Sequence, residues 1–463
     1  MSKLITKAEN SNYCARLIKL PATRPHSNAN KLLCVSILGN NIITGLNAVE
    51  GSLYVFFPLE SSINIEYLAH SNSLDDPTLN RDKKTKGFFS PKHGRVKAIS
   101  LRGEKSEGYA VPAQTIEEWS GYKFKNEDLD KDFDHIGDTK ICEKYINRAA
   151  LRKLEQDERR EKNKNKKVKR ESKLIENQFR VSEDTKNLKR EMDKLNLNDV
   201  ITISYKLHGC NFSMGRVLCA RPLNWYEKIL KKLGVKINDT HYDLVYASRR
   251  IIKNAYADEA KPGFYDVDVW KIVADKYQGA IKDNVVLYGE IVGQLPNGKW
   301  IQKNYDYGCA ENTCEAYIYR GTIVNNKGEV FEMTTPQLKR YCDKLGLKVV
   351  PVFYYGTVID YIRANKKDFS FYELDGYTSS NWNWETGNWR DELLKLWQSK
   401  YNEKNCYMCK NVVPEEGVVI SKESDFFEGY KLKSFRFLSH ESSELDKGEV
   451  DMETKESLAE EAK

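Results

Sequence analysis

The stretch Ile203-Ser-Tyr-Lys-Leu-His-Gly-Cys-Asn-Phe-Ser-Met-Gly-Arg-Val217 decides how this chain is read. β-Prone residues approach it at Ile201, Ile203 and Tyr205, Gly209 turns it, and a second β-prone run leaves through Phe212 and Val217. A β-turn-β unit is predicted, with Lys206 at its mouth. A lysine amine beside a glycine, where backbone can come close to a ligand, suits attack on a phosphate. Taken alone, the same Lys-x-His-Gly also reads as an ordinary lysine beside a turn, one of 74 lysines and arginines.

Working outward, 463 residues at 40% hydrophobic content are enough for two or three packed domains. No apolar run reaches membrane length, and the polar start Met1-Ser-Lys-Leu-Ile-Thr-Lys lacks the apolar centre of a signal peptide. A cytoplasmic protein, in the host cytoplasm if viral, with no membrane partner is expected. Ten scattered cysteines are then expected to be thiols. Cys406 and Cys409 form a Cys-x-x-Cys pair, but no second pair supplies the other two ligands of a zinc site. Net charge is +7 even though residues 441–463 hold nine acidic against three basic residues. The body is therefore more basic than the total suggests, which suits a polyanionic partner.

In chain order, residues 1–115 show short β-like runs, Leu33-Cys-Val-Ser-Ile-Leu, Leu53-Tyr-Val-Phe-Phe and Arg95-Val-Lys-Ala-Ile-Ser-Leu among them, punctuated by glycines. This pattern predicts a small β-barrel of OB type, an architecture that lays nucleic acid across its face. Lys83, Lys84, Lys86, Lys92, Arg95 and Arg102 could track phosphates there or form a solvated basic loop. Residues 116–177 read as a charged connector, with six basic residues against one acidic between Glu161 and Arg170. Residues 178–440 form the larger domain, and 441–463 an acidic tail with too few large apolar groups to pack. Within the larger domain, Trp225-Tyr-Glu-Lys-Ile-Leu-Lys-Lys-Leu has helical spacing and serves either packing or an RNA grip.

Four further patterns follow Lys206 in order. They are Val245-Tyr-Ala-Ser-Arg-Arg-Ile-Ile, Val285-Val-Leu-Tyr-Gly-Glu-Ile-Val-Gly, Tyr317-Ile-Tyr-Arg-Gly-Thr-Ile-Val and Glu415-Glu-Gly-Val-Val-Ile, and Tyr430-Lys-Leu-Lys-Ser closes the series. Alternation along a strand puts Lys431 and Lys433 on one face. Each pattern alone has an ordinary β-sheet explanation. The ordered set, with His26-Ser-Asn-Ala-Asn-Lys-Leu, Gly87-Phe-Phe and Ile141-Cys-Glu-Lys-Tyr upstream, resembles the covalent nucleotidyltransferases, and among them the ATP-dependent RNA ligases with an OB domain before the catalytic domain.

The resemblance implies an α+β chain: an N-terminal OB-type barrel, then a nucleotidyltransferase domain of antiparallel sheets with flanking helices. It implies that Lys206, within Lys206-Leu207-His208-Gly209, takes AMP from ATP. Arg249 is implied near the ribose or RNA end, Glu290 at the ribose or a metal-bound water, Tyr317 and Tyr319 at the adenine, Glu416 at Mg²⁺ or Mn²⁺, and Lys431 and Lys433 at the triphosphate. Arg180 is implied as a flanking nucleotide contact. The pattern departs from the family at Cys210 and Asn211, where Thr-Ser is usual, and at Ser182 and Glu183, where a histidine is expected. The expected activity of the monomer is joining RNA 3′-OH and 5′-phosphate ends, in nicked or gapped duplexes, through lysyl-AMP and RNA-adenylate. A DNA ligase or capping guanylyltransferase shares the chemistry but usually carries its OB domain after the catalytic one. A non-catalytic RNA-binding protein would have no need of the nucleophile.

Overall fold

A computed structural model describes residues 3–8, 10–146, 172–255, 267–369 and 389–447. The basic run 161–170 of the connector and residues 448–463 of the acidic tail lie outside them. Strands dominate, with short helices between them.

In the N-terminal unit, strands Ala15–Lys19 (β1), Leu53–Pro58 (β5), Gly108–Pro112 (β6) and Asp132–Phe133 (β7) form one sheet in the order β6-β5-β1-β7. Thr23–His26 (β2), Ala29–Ile37 (β3) and Asn40–Gly45 (β4) form a separate three-stranded sheet. The predicted barrel does not close among the described residues. The reason is visible in β5, where Tyr54, Val55, Phe56 and Phe57 are all buried. Val55 and Phe57 enter one core with Leu17, Tyr67 and Phe89, while Tyr54 and Phe56 enter another with Val35 and Ile42. A strand covered on both faces sits between layers, whereas a barrel wall has one face outward. Two boundaries also move. β7 belongs to the first sheet although it falls in the segment read as connector, and Arg95 to Ala98 lie outside any strand, leaving only Ile99–Leu101 extended.

The C-terminal unit is built on two sheets. Lys186–Asn187 (β8), Val200–Lys206 (β9), Val352–Thr357 (β15), Gly417–Lys422 (β16) and Glu428–Lys433 (β17) form the first, in the order β8-β17-β16-β9-β15. Cys210–Ala220 (β10), Thr240–Ala247 (β11), Val285–Gly293 (β12), Cys314–Val324 (β13) and Val330–Glu332 (β14) form the second, in the order β11-β10-β12-β13-β14. β11 stops at Ala247, so Ser248 and Arg249, in the middle of the β-like pattern Val245 to Ile252, lie just beyond its end.

Helices cover each sheet. Val269–Tyr277 (α2) and Thr335–Leu345 (α3) bury Trp270, Val273, Leu338 and Cys342 against the second sheet. α3 starts at a reciprocal Thr334 and Gln337 cap and ends at left-handed Gly346. Trp389–Tyr401 (α4) buries Trp389, Leu393 and Trp397 beneath the first sheet. Trp225–Lys232 (α1) forms as predicted, but against the described residues it buries no side chain. The last helix, Phe435–Asp446 (α5), takes in the first residues of the stretch read as a tail. No helix among the described residues is long and apolar enough to cross a membrane.

Candidate active site

The turn after Lys206 joins the two sheets. β9 ends at Lys206 in the first sheet and β10 begins at Cys210 in the second, so Leu207, His208 and Gly209 cross the seam. Side chains from other elements hold the crossing. His208 N donates to Tyr307 Oη at 2.7 Å, Gly209 N to Glu290 Oε1 at 3.1 Å, and Gln302 Nε2 to Gly209 O at 2.8 Å. A Cβ at Gly209 would stand 2.2 Å from Ile291 O, closer than any side chain allows.

Register then collects the separate motifs. Lys206 lies opposite Gly417, and Gly417 opposite Lys433, with Lys431 on the same face of β17. In the second sheet Asn211 lies opposite Glu290 and Glu290 opposite Tyr317. Glu416 enters from the corner before β16, where its carbonyl accepts from Ser434 N at 2.9 Å and Ser434 Oγ donates to Glu415 O at 2.7 Å. Gly417 (φ +131°) lets that corner pass Leu432, whose carbonyl a Cβ would meet at 2.0 Å.

All the predicted site residues except Arg180 and Tyr317 line one cavity of about 700 Å³. Tyr317 packs behind its wall in the core with Tyr205 and Leu207. Arg180 lines a neighbouring hollow with Arg250 and Phe427, and its carbonyl accepts from Tyr288 Oη at 3.1 Å. Glu416, only 3% exposed, is the electrostatic centre. Its Oε1 lies 2.8 Å from Lys206 Nζ and 3.4 Å from Lys433 Nζ. Burial pushes the Glu416 carboxyl up, but Lys206, Lys433 and His208 outweigh it and hold it at about 2. Burial, then repulsion from Lys433, Lys206 and Arg249, brings Lys431 down to about 7. Lys433 goes the other way: burial is outweighed by Glu441 and Glu416, which raise it. The site thus holds one lysine poised near neutral pH and one firmly charged.

A divalent cation fits these residues. Among the described residues Glu416 Oε2 is buried and accepts no hydrogen bond, and His208 Nδ1 stands 3.9 Å from it. An orphaned carboxylate oxygen of this kind is suited to a hydrated hard cation, with Glu290 across the turn as a second oxygen source. Among the described residues no three His, Cys, Asp or Glu side chains converge as a ready-made cage. Mg²⁺, which keeps several waters, needs none.

Residues 199–437, just over half of the chain, match the RNA ligase family. The chain belongs to the RNA ligase family. No curated protein matches it. Its fold is similar to solved structures of Naegleria gruberi RNA ligase. A mutant with AMP and Mn aligns at TM-score 0.53 and 12% identity, covering 92% of this chain and 98% of that one. A mutant with ATP and Mn gives 0.52 and 12% over 94% and 99%, and a structure with PPi gives 0.51 and 12% over 93% and 99%. At such identity the likeness is one of fold.

This RNA ligase also lines its cavity with residues outside the predicted site set. Asp184 pairs with Arg249 at 2.8 Å and Arg250 at 3.5 Å, fixing the arginines at the cavity edge. Asn211, at a departure from the family pattern, donates to Tyr319 Oη at 2.6 Å. Tyr13 reaches the cavity from the N-terminal unit, its hydroxyl pushed up to about 12 by burial. Glu441, on α5, lies 3.3 Å from Lys433 Nζ. Its acidic neighbours marked the stretch as a tail, while the only helical signal was the weak apolar spacing of Phe435, Phe437 and Leu438.

Proposed function

We propose that the ligase seals RNA 3′-OH and 5′-phosphate ends at the expense of ATP, with Lys206 as the residue that carries AMP. The observation that supports this best is the Lys206 amine held 2.8 Å from the buried Glu416 carboxylate in a cavity it shares with Lys431 and Lys433. A divalent cation held by Glu416 and Glu290, Mg²⁺ or Mn²⁺, would neutralise the α-phosphate and the departing pyrophosphate. Glu416 itself stays ionised, so it orients the amine and is a poor proton acceptor.

In the first step Lys206 Nζ, having given its proton to solvent, attacks the α-phosphorus. The N–P bond forms, the bond to pyrophosphate breaks, and Lys431 and Lys433 receive the charge that develops on the leaving group. An oxygen of the RNA 5′-phosphate next attacks the phosphorus of lysyl-AMP, and the amine leaves and regains its proton. The RNA 3′-hydroxyl then attacks the activated 5′-phosphate, forming the phosphodiester and releasing AMP. Arg249 and Arg250, braced by Asp184, suit the incoming phosphate. Tyr319 is assigned to the nucleoside of AMP, with Tyr317 behind it and Arg180 on the flank.

We read residues 178–440 as the nucleotidyltransferase domain of a cytoplasmic monomer. The N-terminal unit is its OB-related grip on nicked or gapped RNA, with the basic connector between them. The test is transfer of label from α-phosphate-labelled ATP, and separately GTP, onto denatured protein. Labelling by ATP alone, lost in Lys206→Ala, is expected. Labelling by GTP, or undiminished labelling of the variant, overturns the reading.

A further inference from the structure

Residues 71–94 form a loop that the chemistry above does not use, and it is built from inside. Asn80, wholly buried, accepts from Leu74 N at 3.1 Å and donates to the carbonyls of Leu74 at 2.9 Å and Thr85 at 2.8 Å. Ser73 O accepts from both Phe88 N at 3.0 Å and Phe89 N at 2.9 Å, and Gly87 N donates to Leu74 O at 2.7 Å. Asp82 accepts from Lys84 N and Thr85 Oγ1, closing a turn within the loop. On this frame Phe89 points into the core with Leu74 and Val96, while its neighbour Phe88 is 66% exposed. Contacts with the Phe89 ring at 4.6 Å and the Tyr109 ring at 5.6 Å hold Phe88 in place and leave most of it to solvent.

A rigidly presented, exposed aromatic ring adds nothing to the core. In the same loop Lys83, Lys84, Lys86 and Lys92 are exposed as well, with Lys83 Nζ donating to Thr78 O at 2.8 Å. From Phe88 the chain needs five residues, at most about 18 Å, to reach His93. That ring meets Tyr145 at 5.1 Å, and Tyr145 lines the Lys206 cavity. Arg95, read from sequence as part of a phosphate track, is not free for that task, because it is buried against Glu60 and Asp446.

We infer that Phe88 is a stacking platform for an unpaired base of the RNA substrate, with Lys83, Lys84, Lys86 and Lys92 along its phosphates. This rests on the RNA ligase reading and adds where the strand lies. An aromatic face takes any base and neighbouring ammonium groups take the backbone, the combination that holds single-stranded nucleic acid without sequence preference. Because the loop is already ordered, little freedom remains to be lost on binding.

The test uses the full chain and a fluorescent single-stranded RNA 12-mer, with anisotropy read over a salt series, beside a blunt RNA duplex. Phe88→Ala should weaken single-strand binding about tenfold or more, Phe88→Trp should keep it, and the duplex should be little affected. Replacing Lys83, Lys84 and Lys86 with Ala should flatten the dependence of log affinity on log salt by about 2. Self-labelling by ATP should be unchanged in all of these, so its absence would count against the catalytic reading and not against this one. Wild-type RNA affinity in Phe88→Ala, equal loss in Phe88→Trp, or equal loss on single strand and duplex overturns the platform.

Discussion

At the residue scale, the resting site is organised by one carboxylate. Glu416 is buried between two ammonium groups, so Glu416→Gln leaves Lys206 and Lys433 repelling one another with a neutral amide between them. Self-labelling by ATP is expected to fall on the order of 100-fold in that variant, with the fold retained by circular dichroism. The same pairing has a pH signature. A carboxyl held at about 2 in the folded chain, against 4.5 ordinarily, contributes stability above that ordinary value and loses it as pH falls toward 2. The melting difference between wild type and Glu416→Gln should therefore shrink as pH drops from 5 to 3. Lys431 gives a second handle. Held at about 7, it is mostly neutral above that pH, and a triphosphate binds best when it is charged. Binding of an ATP analogue that cannot release pyrophosphate should take up a proton and weaken by up to about tenfold per pH unit between pH 7 and 9. Calorimetry in buffers of different ionisation enthalpy would reveal the uptake, and affinity constant over that range would refute it.

At the scale of elements, the site exists because one turn passes from sheet to sheet. β9 is buried through Ile201, Thr202, Ile203, Ser204 and Tyr205, so the strand that delivers Lys206 is fixed by packing on both faces. Gly209 is the point where that turn touches β12. Gly209→Ala is expected to cost about 1–3 kcal/mol and to move Glu290 away from the turn, lowering both the denaturation midpoint and labelling by ATP. Gly234→Ala, with nothing near its missing Cβ, controls for the loss of a glycine as such, apart from strain at its φ of +84°.

At the scale of the molecule, buried charges tie the two units together. Arg95 of the N-terminal unit, fully buried, grips Glu60 at 2.8 Å and Asp446 of α5 at 3.1 Å. Lys189 of the C-terminal unit reaches Glu107 at 2.9 Å, and Arg190 pairs with Asp132. α5 therefore bridges the units and carries Glu441 into the cavity. Arg95→Ala strands the Glu60 carboxylate and is expected to destabilise the chain by about 3–5 kcal/mol in denaturant unfolding. An effect below about 1 kcal/mol, the size of a surface pair, would show that the bridge is ornamental.

The sequence by itself determined several of the strands that line the cavity, with Lys206, Glu290, Lys431 and Lys433 on them. Short-range chemistry fixes those: β-branched runs, glycines at forced turns, and alternation that puts Lys431 and Lys433 on one face. It also determined α1 as a helix, because apolar spacing is local. Only the tertiary structure decided what those elements face. Among the described residues α1 buries no side chain, β5 is covered on both sides so that no barrel closes, and the strand before Arg249 ends early. The cavity partners Asp184, Tyr13 and Glu441 come from segments whose composition resembles any polar surface. They meet Arg249 and Lys433 only through packing between distant parts of the chain, and a carboxylate's partner is set by distance in space, which sequence spacing does not encode.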